Sequence, residues 1–228
     1  TLTGKGVGVS DDDDDDDASR IPLTATLDDF PPSVKSKFPH VVSAGYRLLG
    51  MSADAATKRR LLERRLAVAA VDADTGSPID ATGVQMQGAI DDMCAYDGPL
   101  GADFDAGKES VTLRVWAPTA QTVALVLHDA PRDGQSVRVG MTRDAAATGV
   151  WSATGDYGEW HGKYYNYEVE VFNPTTGRVS VNVASDPYAR SLAADGRRAQ
   201  IYDVDGDESL KPDGWDRLSK PEFTHPVD

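Results

Sequence analysis

Residues 110–127 read Ser110-Val111-Thr112-Leu113-Arg114-Val115-Trp116-Ala117-Pro118-Thr119-Ala120-Gln121-Thr122-Val123-Ala124-Leu125-Val126-Leu127. Val111, Leu113 and Val115 alternate with Thr112, Arg114 and Trp116, and Val123, Leu125 and Leu127 repeat the alternation beyond Pro118. A period of two sends successive side chains to opposite faces of a strand, so one face is apolar and seeks a core. The series continues through 137–141, 149–153, 164–172 and 178–183. Turn-forming stretches at 131–134, 155–158 and 173–177, rich in Gly, Pro, Asn, Asp and Thr, separate these segments. Short strands at this spacing predict an antiparallel, immunoglobulin-like β-sandwich over residues 105–204.

Working outward, the upstream half has a different character. Pro31-Pro32 and Phe38-Pro39 break helices, and 41–51 reads as a strand containing Tyr46. Ser52 fits a helix N-cap ahead of a short helix with Ala55, Lys58, Leu61 and Leu62. The Val- and Ala-rich 65–72 reads as a buried strand, closed by a turn at 74–78. The expected fold is therefore mainly β: a small β-rich domain at 21–104, then the sandwich. Residues 205–228 read as a trailing linker. The seven aspartates Asp11 to Asp17 repel one another and have nothing to bury, so 1–20 is expected to be disordered.

The chain carries 23 Lys and Arg against 37 Asp and Glu, a formal charge of −14. That balance disfavours nucleic-acid binding, which needs clustered cations. The longest apolar run, 66–71, is far short of the ~20 residues of a membrane span. Thr1 in place of Met reads as the start of a processed or excised piece. Cys94 stands alone, so no intrachain disulfide or thiolate zinc cluster is expected, and a reducing compartment fits.

The four histidines, His40, His128, His161 and His225, have no metal-ligand spacing, and no nucleophile elbow or phosphate loop is present. Asp203-Val204-Asp205-Gly206-Asp207-Glu208 resembles a calcium loop in composition but lacks its Gly and Glu register. No catalytic residue, metal site or cofactor is expected. The aromatic residues carry more information. Trp116, Trp151, Trp160 and Trp215 all lie in the second half. Trp116 and Trp151, inside strand patterns, belong to the core. Trp160, in a turn beside His161 and Gly162, and Tyr164 just beyond are the candidates for stacking on a sugar ring.

Three strings occur in order: Val115-Trp116-Ala117-Pro118-Thr119-Ala120, Gly149-Val150-Trp151 and Asp186-Pro187-Tyr188-Ala189-Arg190. Together they resemble the early-set sandwich of starch-debranching enzymes, the carbohydrate-binding module of family 48. Upstream, Asp91-Asp92-Met93-Cys94-Ala95-Tyr96-Asp97-Gly98-Pro99-Leu100-Gly101 is similar to the domain preceding that module in plant-type limit dextrinases and pullulanases of glycoside hydrolase family 13.

The resemblance implies the non-catalytic N-terminal part of an enzyme that hydrolyses α-1,6 branches in starch-derived glucans, in the chloroplast stroma. Its implied partners are α-glucan, met through the parent enzyme, and a catalytic barrel for which the residues after Ser110 leave no room. Asp186, Pro187, Tyr188 and Arg190 would form a contact with that barrel. Two departures stand out. The Gly-rich and poly-Asp opening replaces the family's initial strands, so the first domain is expected to lack an edge strand. The loops at 128–134 and 175–180 hold no aromatic where glucan-binding members carry tryptophans. Two rivals follow: a self-standing glucan-binding module, and a protein-interaction sandwich with no sugar role.

Overall fold

The computed structural model describes residues 7–8, 21–146 and 148–220. Its strands are β1 (Val7–Gly8), β2 (Leu23–Ala25), β3 (Leu49–Met51), β4 (Ala67–Val71), β5 (Pro78–Gly83), β6 (Gly101–Phe104), β7 (Ser110–Trp116), β8 (Ala120–His128), β9 (Ser136–Gly140), β10 (Thr142–Arg143), β11 (Val150–Asp156), β12 (Tyr164–Asn173), β13 (Arg178–Ala184), β14 (Ser191–Leu192) and β15 (Ala199–Gln200). The helices are α1 (Pro32–Lys37), α2 (Pro39–Ser43), α3 (Ala55–Leu62), α4 (Gln87–Met93) and α5 (Tyr157–Trp160).

The alternation in 110–127 builds the sandwich as expected. In β7, Val111, Leu113 and Val115 are buried while their neighbours are half-buried. One antiparallel sheet runs β10-β11-β7-β6. The other runs β14-β15-β12-β8-β9, with β13 also paired to β12. Between them lie Val111, Leu113, Val123, Leu125, Trp151, Tyr165, Tyr167 and Ile201. Each large apolar side chain so buried contributes roughly 1.5–3 kcal/mol.

Two of the sequence strings meet in space. Gly149 has φ +76°, and a Cβ there would lie 2.5 Å from the Cα of Pro118. Only glycine lets the β10–β11 turn close onto the Ala117-Pro118 corner. The Ala117 amide donates to the Gly149 carbonyl at 2.9 Å, and the Trp151 indole donates to the Ala117 carbonyl at 3.1 Å.

The first domain departs from expectation in several places. Pro32 opens α1 instead of breaking a helix, because the first helical position needs no amide donor. Pro39 does the same for α2, so residues 39–43 are helical and the expected strand at 41–51 shrinks to Leu49–Met51. Asp54, not Ser52, caps α3, accepting from the Thr57 amide at 2.7 Å. Helix α4 was not foreseen. The expected missing edge strand is supplied from the Gly-rich opening: β1 pairs antiparallel with β4, which pairs with β5. The rest of 1–20, including the expected disorder there, lies outside the described residues, as does 221–228. Gly101–Phe104, assigned above to the first domain, pair with β7 and form an edge of the sandwich. Residues 205–220 contain two short turns of 3-10 helix, Glu208–Leu210 and Trp215–Arg217.

Candidate functional site

In β12 the side chains of Tyr165 and Tyr167 point into the core, which turns Tyr164, Asn166 and Glu168 to the outer face. Tyr164 is half-buried and sits opposite His128 of β8 and Gln200 of β15. Gln200 is held in place: its amide donates to the Gly162 carbonyl at 3.1 Å and accepts from the Ser191 hydroxyl at 2.9 Å. Arg198 donates to the carbonyls of Ala130 (2.6 Å) and Asp133 (3.0 Å), pinning the loop after β8. Burial, with Arg198 nearby, holds the His128 imidazole below its ordinary pKa. The result is one partly exposed ring among fixed polar groups, without a broad aromatic platform.

Trp160 does not join it. The expectation of a turn tryptophan open to a sugar ring is corrected by burial: Trp160 is 8% exposed and belongs to the core. Asp156 caps α5 through the Glu159 amide, and this turn swings the indole inward over Gly155. Trp151 is buried as expected; Trp116 is half-buried at the rim.

The 186–190 turn divides into an inner and an outer part. Asp186 is 4% exposed and accepts from the hydroxyls of Tyr165 (2.6 Å) and Tyr167 (3.1 Å) and from the Tyr188 amide (2.8 Å). Burial first, then for Tyr165 the neighbouring Tyr167 and the Asp186 charge and for Tyr167 the Asp186 charge, push both phenol pKa values far above the ordinary range. Pro187, Tyr188 and Arg190 face outward, and Tyr188 is 46% exposed. Arg190 donates to both carboxylate oxygens of Asp205, with Nη2 at 2.7 Å. A cavity of about 350 Å³ opens beside them, lined among others by Asp103, Phe104, Tyr188, Arg190 and Tyr202.

The acidic 203–208 turn is engaged within the chain. Asp203 accepts from Lys108 (3.0 Å) and the Gly206 amide (2.9 Å), Asp205 pairs with Arg190, and Asp207 accepts from Tyr202 and from Ser209. These hydrogen bonds lower the pKa of all three carboxyls. Among the described residues no group of three or more His, Cys, Asp and Glu is disposed to hold a metal ion. None of the described helices is long and apolar enough to cross a membrane. One grouping went unread in the sequence: Tyr157 stacks on His161 at 4.7 Å, and His161 lies 4.9 Å from Tyr202. The i, i+4 spacing of Tyr157 and His161 was the available signal.

Residues 3–92 match the pullulanase N2 domain, and residues 99–189 match carbohydrate-binding module 48, the isoamylase N-terminal domain. The chain is 40% identical to chloroplastic pullulanase 1 of Arabidopsis thaliana, over 94% of this chain and 21% of that protein. It is 37% identical to a pullulanase of Klebsiella pneumoniae, over 82% of this chain and 17% of that one. Ligand-free PulA from Klebsiella pneumoniae superposes with a TM-score of 0.79 at 31% identity, covering 96% of this chain and 21% of that one. The maltotriose complex of Klebsiella pneumoniae pullulanase superposes at 0.76 with 32% identity, covering 96% and 20%. The chain thus spans about a fifth of the length of these relatives.

Proposed function

We propose that this chain, which carries the N-terminal domains of a pullulanase, an N2 domain followed by a family 48 module, is the non-catalytic part of a starch-debranching enzyme. Its role is to support and position a catalytic domain that hydrolyses α-1,6 linkages in α-glucans. The observation that carries this reading is the superposition of both modules together, over 96% of the chain, on pullulanase. In this reading the sandwich begins at Gly101, which the pairing of β6 with β7 supports. A plastid location belongs to the same reading and is supported by the chloroplastic relative.

Within this reading Pro187, Tyr188 and Arg190 meet the catalytic domain, and Asp186 fixes the turn from inside. The half-exposed Tyr188 ring beside an open cavity supports it, since interface anchors are often tyrosines able to bury a ring and keep a hydrogen bond. Tyr188→Ala should barely move the melting temperature of the 228-residue chain. In a full-length pullulanase carrying this region, the same change should loosen docking by about 1–3 kcal/mol. An equal loss in both proteins would count against the docking role. The purified chain should release no reducing sugar from pullulan, and turnover that survives repurification would overturn the non-catalytic reading.

A second reading, a self-standing glucan binder, rests on Tyr164 and its polar neighbours Gln200 and His128. Micromolar affinity for a linear maltooligosaccharide would favour it over the positioning role.

A further inference from the structure

Among the described residues the two modules meet in part-buried polar contacts. Arg143 of β10 donates through Nη1 to Glu63, the residue that closes α3, and through Nη2 to the Pro118 carbonyl at 2.6 Å. Both side chains of this pair are mostly covered, at 19% and 17% exposure. The guanidinium also lies over the Trp151 ring, 5.3 Å from its centroid. A few residues away the Trp116 indole donates to two carbonyls at once: Cys94 at 2.8 Å, in the first module, and Thr148 at 3.0 Å, in the sandwich.

The connection between the modules is short and occupied. Cys94 caps α4 and β6 begins at Gly101. Between them the Tyr96 ring folds over Gly98, where a Cβ would come 2.4 Å from its hydroxyl, and that hydroxyl donates to the Pro99 carbonyl at 3.3 Å. A groove of about 290 Å³ separates Leu62, Leu66 and Val84 from Thr119, Val171 and Phe172. Polar contacts across the seam are made by Arg143 and Trp116.

We propose that Arg143 and Trp116 form a joint that fixes the N2 domain and the sandwich as one rigid body. A buried charge whose partner is removed is strongly destabilising, so the Arg143–Glu63 pair resists opening of the seam. The indole of Trp116 adds direction, because its N–H reaches the Cys94 carbonyl in only a narrow range of module orientations. An independent observation agrees. Both modules superpose together on ligand-free and maltotriose-complexed pullulanase of Klebsiella pneumoniae, with TM-scores of 0.79 and 0.76, so a similar module arrangement occurs in that relative. Arg143, Glu63 and Trp116 are positioning residues that act on module orientation.

Cys94 supplies the reporter. It is the sole cysteine of the chain and is 3% exposed at the joint. Its labelling by an aromatic disulfide reagent, followed on the full chain under native conditions, measures how often the seam opens. Wild type should react at least about 100-fold more slowly than the same chain in guanidinium. Glu63→Gln and Trp116→Phe should each speed labelling about tenfold. The thermal transition of the sandwich, read by Trp151 and Trp160 fluorescence, should shift far less. Arg138→Lys, at an outer-face pair with Glu168 (2.7 Å), serves as the control and should leave the labelling rate unchanged. A wild-type rate close to the unfolded one would overturn the proposal, as would Glu63→Gln and Trp116→Phe rates equal to that of the control. If one seam variant fails to fold, the other decides alone.

Discussion

The Tyr165 hydroxyl donates to the buried Asp186 carboxylate at 2.6 Å, tying the central strand of one sheet to the turn between β13 and β14. The same oxygen accepts from Tyr167 at 3.1 Å, and the carboxylate's second oxygen accepts from the Tyr188 amide. Asp186 is therefore the knot of an inner network, and the exposed part of the turn depends on it. Asp186→Ala leaves two buried hydroxyls unpaired and should cost about 3 kcal/mol. Urea denaturation followed by tryptophan fluorescence measures this. A loss below about 1 kcal/mol would mean that the network contributes little.

The same two tyrosines set an alkaline limit. Burial raises both phenol pKa values above the ordinary value of about 10. In the unfolded chain these groups lose protons from about pH 10 upward, while in the folded chain they keep them. The unfolded state then binds fewer protons, so stability falls as pH rises. Below about pH 10 their contribution is fully present; above it, it is progressively lost. The midpoint of chemical denaturation should accordingly fall steeply above pH 10. Tyr165→Phe with Tyr167→Phe should flatten that fall, and an unchanged slope would refute the assignment.

Gly155 and Trp160 give a third expectation. A Cβ on Gly155 would lie 2.1 Å from the Trp160 indole, in the buried interior. Gly155→Ala should therefore cost about 1–3 kcal/mol through overpacking. Trp160→Ala should cost about 3–5 kcal/mol through the cavity it leaves. Thermal melts of both variants settle the matter. A stable Trp160→Ala chain with lost sugar affinity would return that tryptophan to a ligand-binding role.

Much of the sandwich was legible because one physical signal dominates it. Val111, Leu113 and Val115 bury one face of β7, and period two is hard to mistake over seven residues. The first domain carries weaker signals. Its apolar stretch at 41–51 is compatible with helix or strand, and Pro39 read as a breaker where it serves as a helix start. Pairing of β1 with β4 is non-local, and nothing in a Gly-rich stretch specifies its partner. The site was legible only in part for a related reason. Asp186 was read with Pro187, Tyr188 and Arg190 as part of an outward contact surface, and its inward reach follows from Tyr165 and Tyr167, two strand positions far from it in sequence. Trp160 was hidden likewise, since a four-residue helix turns its indole inward. The joint at Arg143 depends on three segments that meet only in the folded chain.

Glucan affinity is the last quantity the structure bears on. Tyr164 is half-buried, so a sugar ring gains only part of a stacking face, and Trp160 is withdrawn into the core. The loop after β8 is pinned by Arg198 to Ala130 and Asp133, and neither it nor 175–180 carries an aromatic side chain. Gln200 and Asn166 already spend donors on the Gly162 and Arg197 carbonyls, at 3.1 and 2.9 Å. A sugar hydroxyl must compete with those bonds or accept what remains. Without a second ring to enclose the ligand, binding of maltoheptaose or β-cyclodextrin should be no tighter than about 1 mM, or ~4 kcal/mol. Affinity at this outer-face site should depend on the Tyr164 ring, so Tyr164→Ala should weaken it about tenfold, while Tyr164→Phe should retain most of it. Titration calorimetry or ligand-observed NMR can follow all three chains at high protein concentration. An affinity in the micromolar range, or one indifferent to Tyr164→Ala, would place the glucan contact elsewhere on the chain.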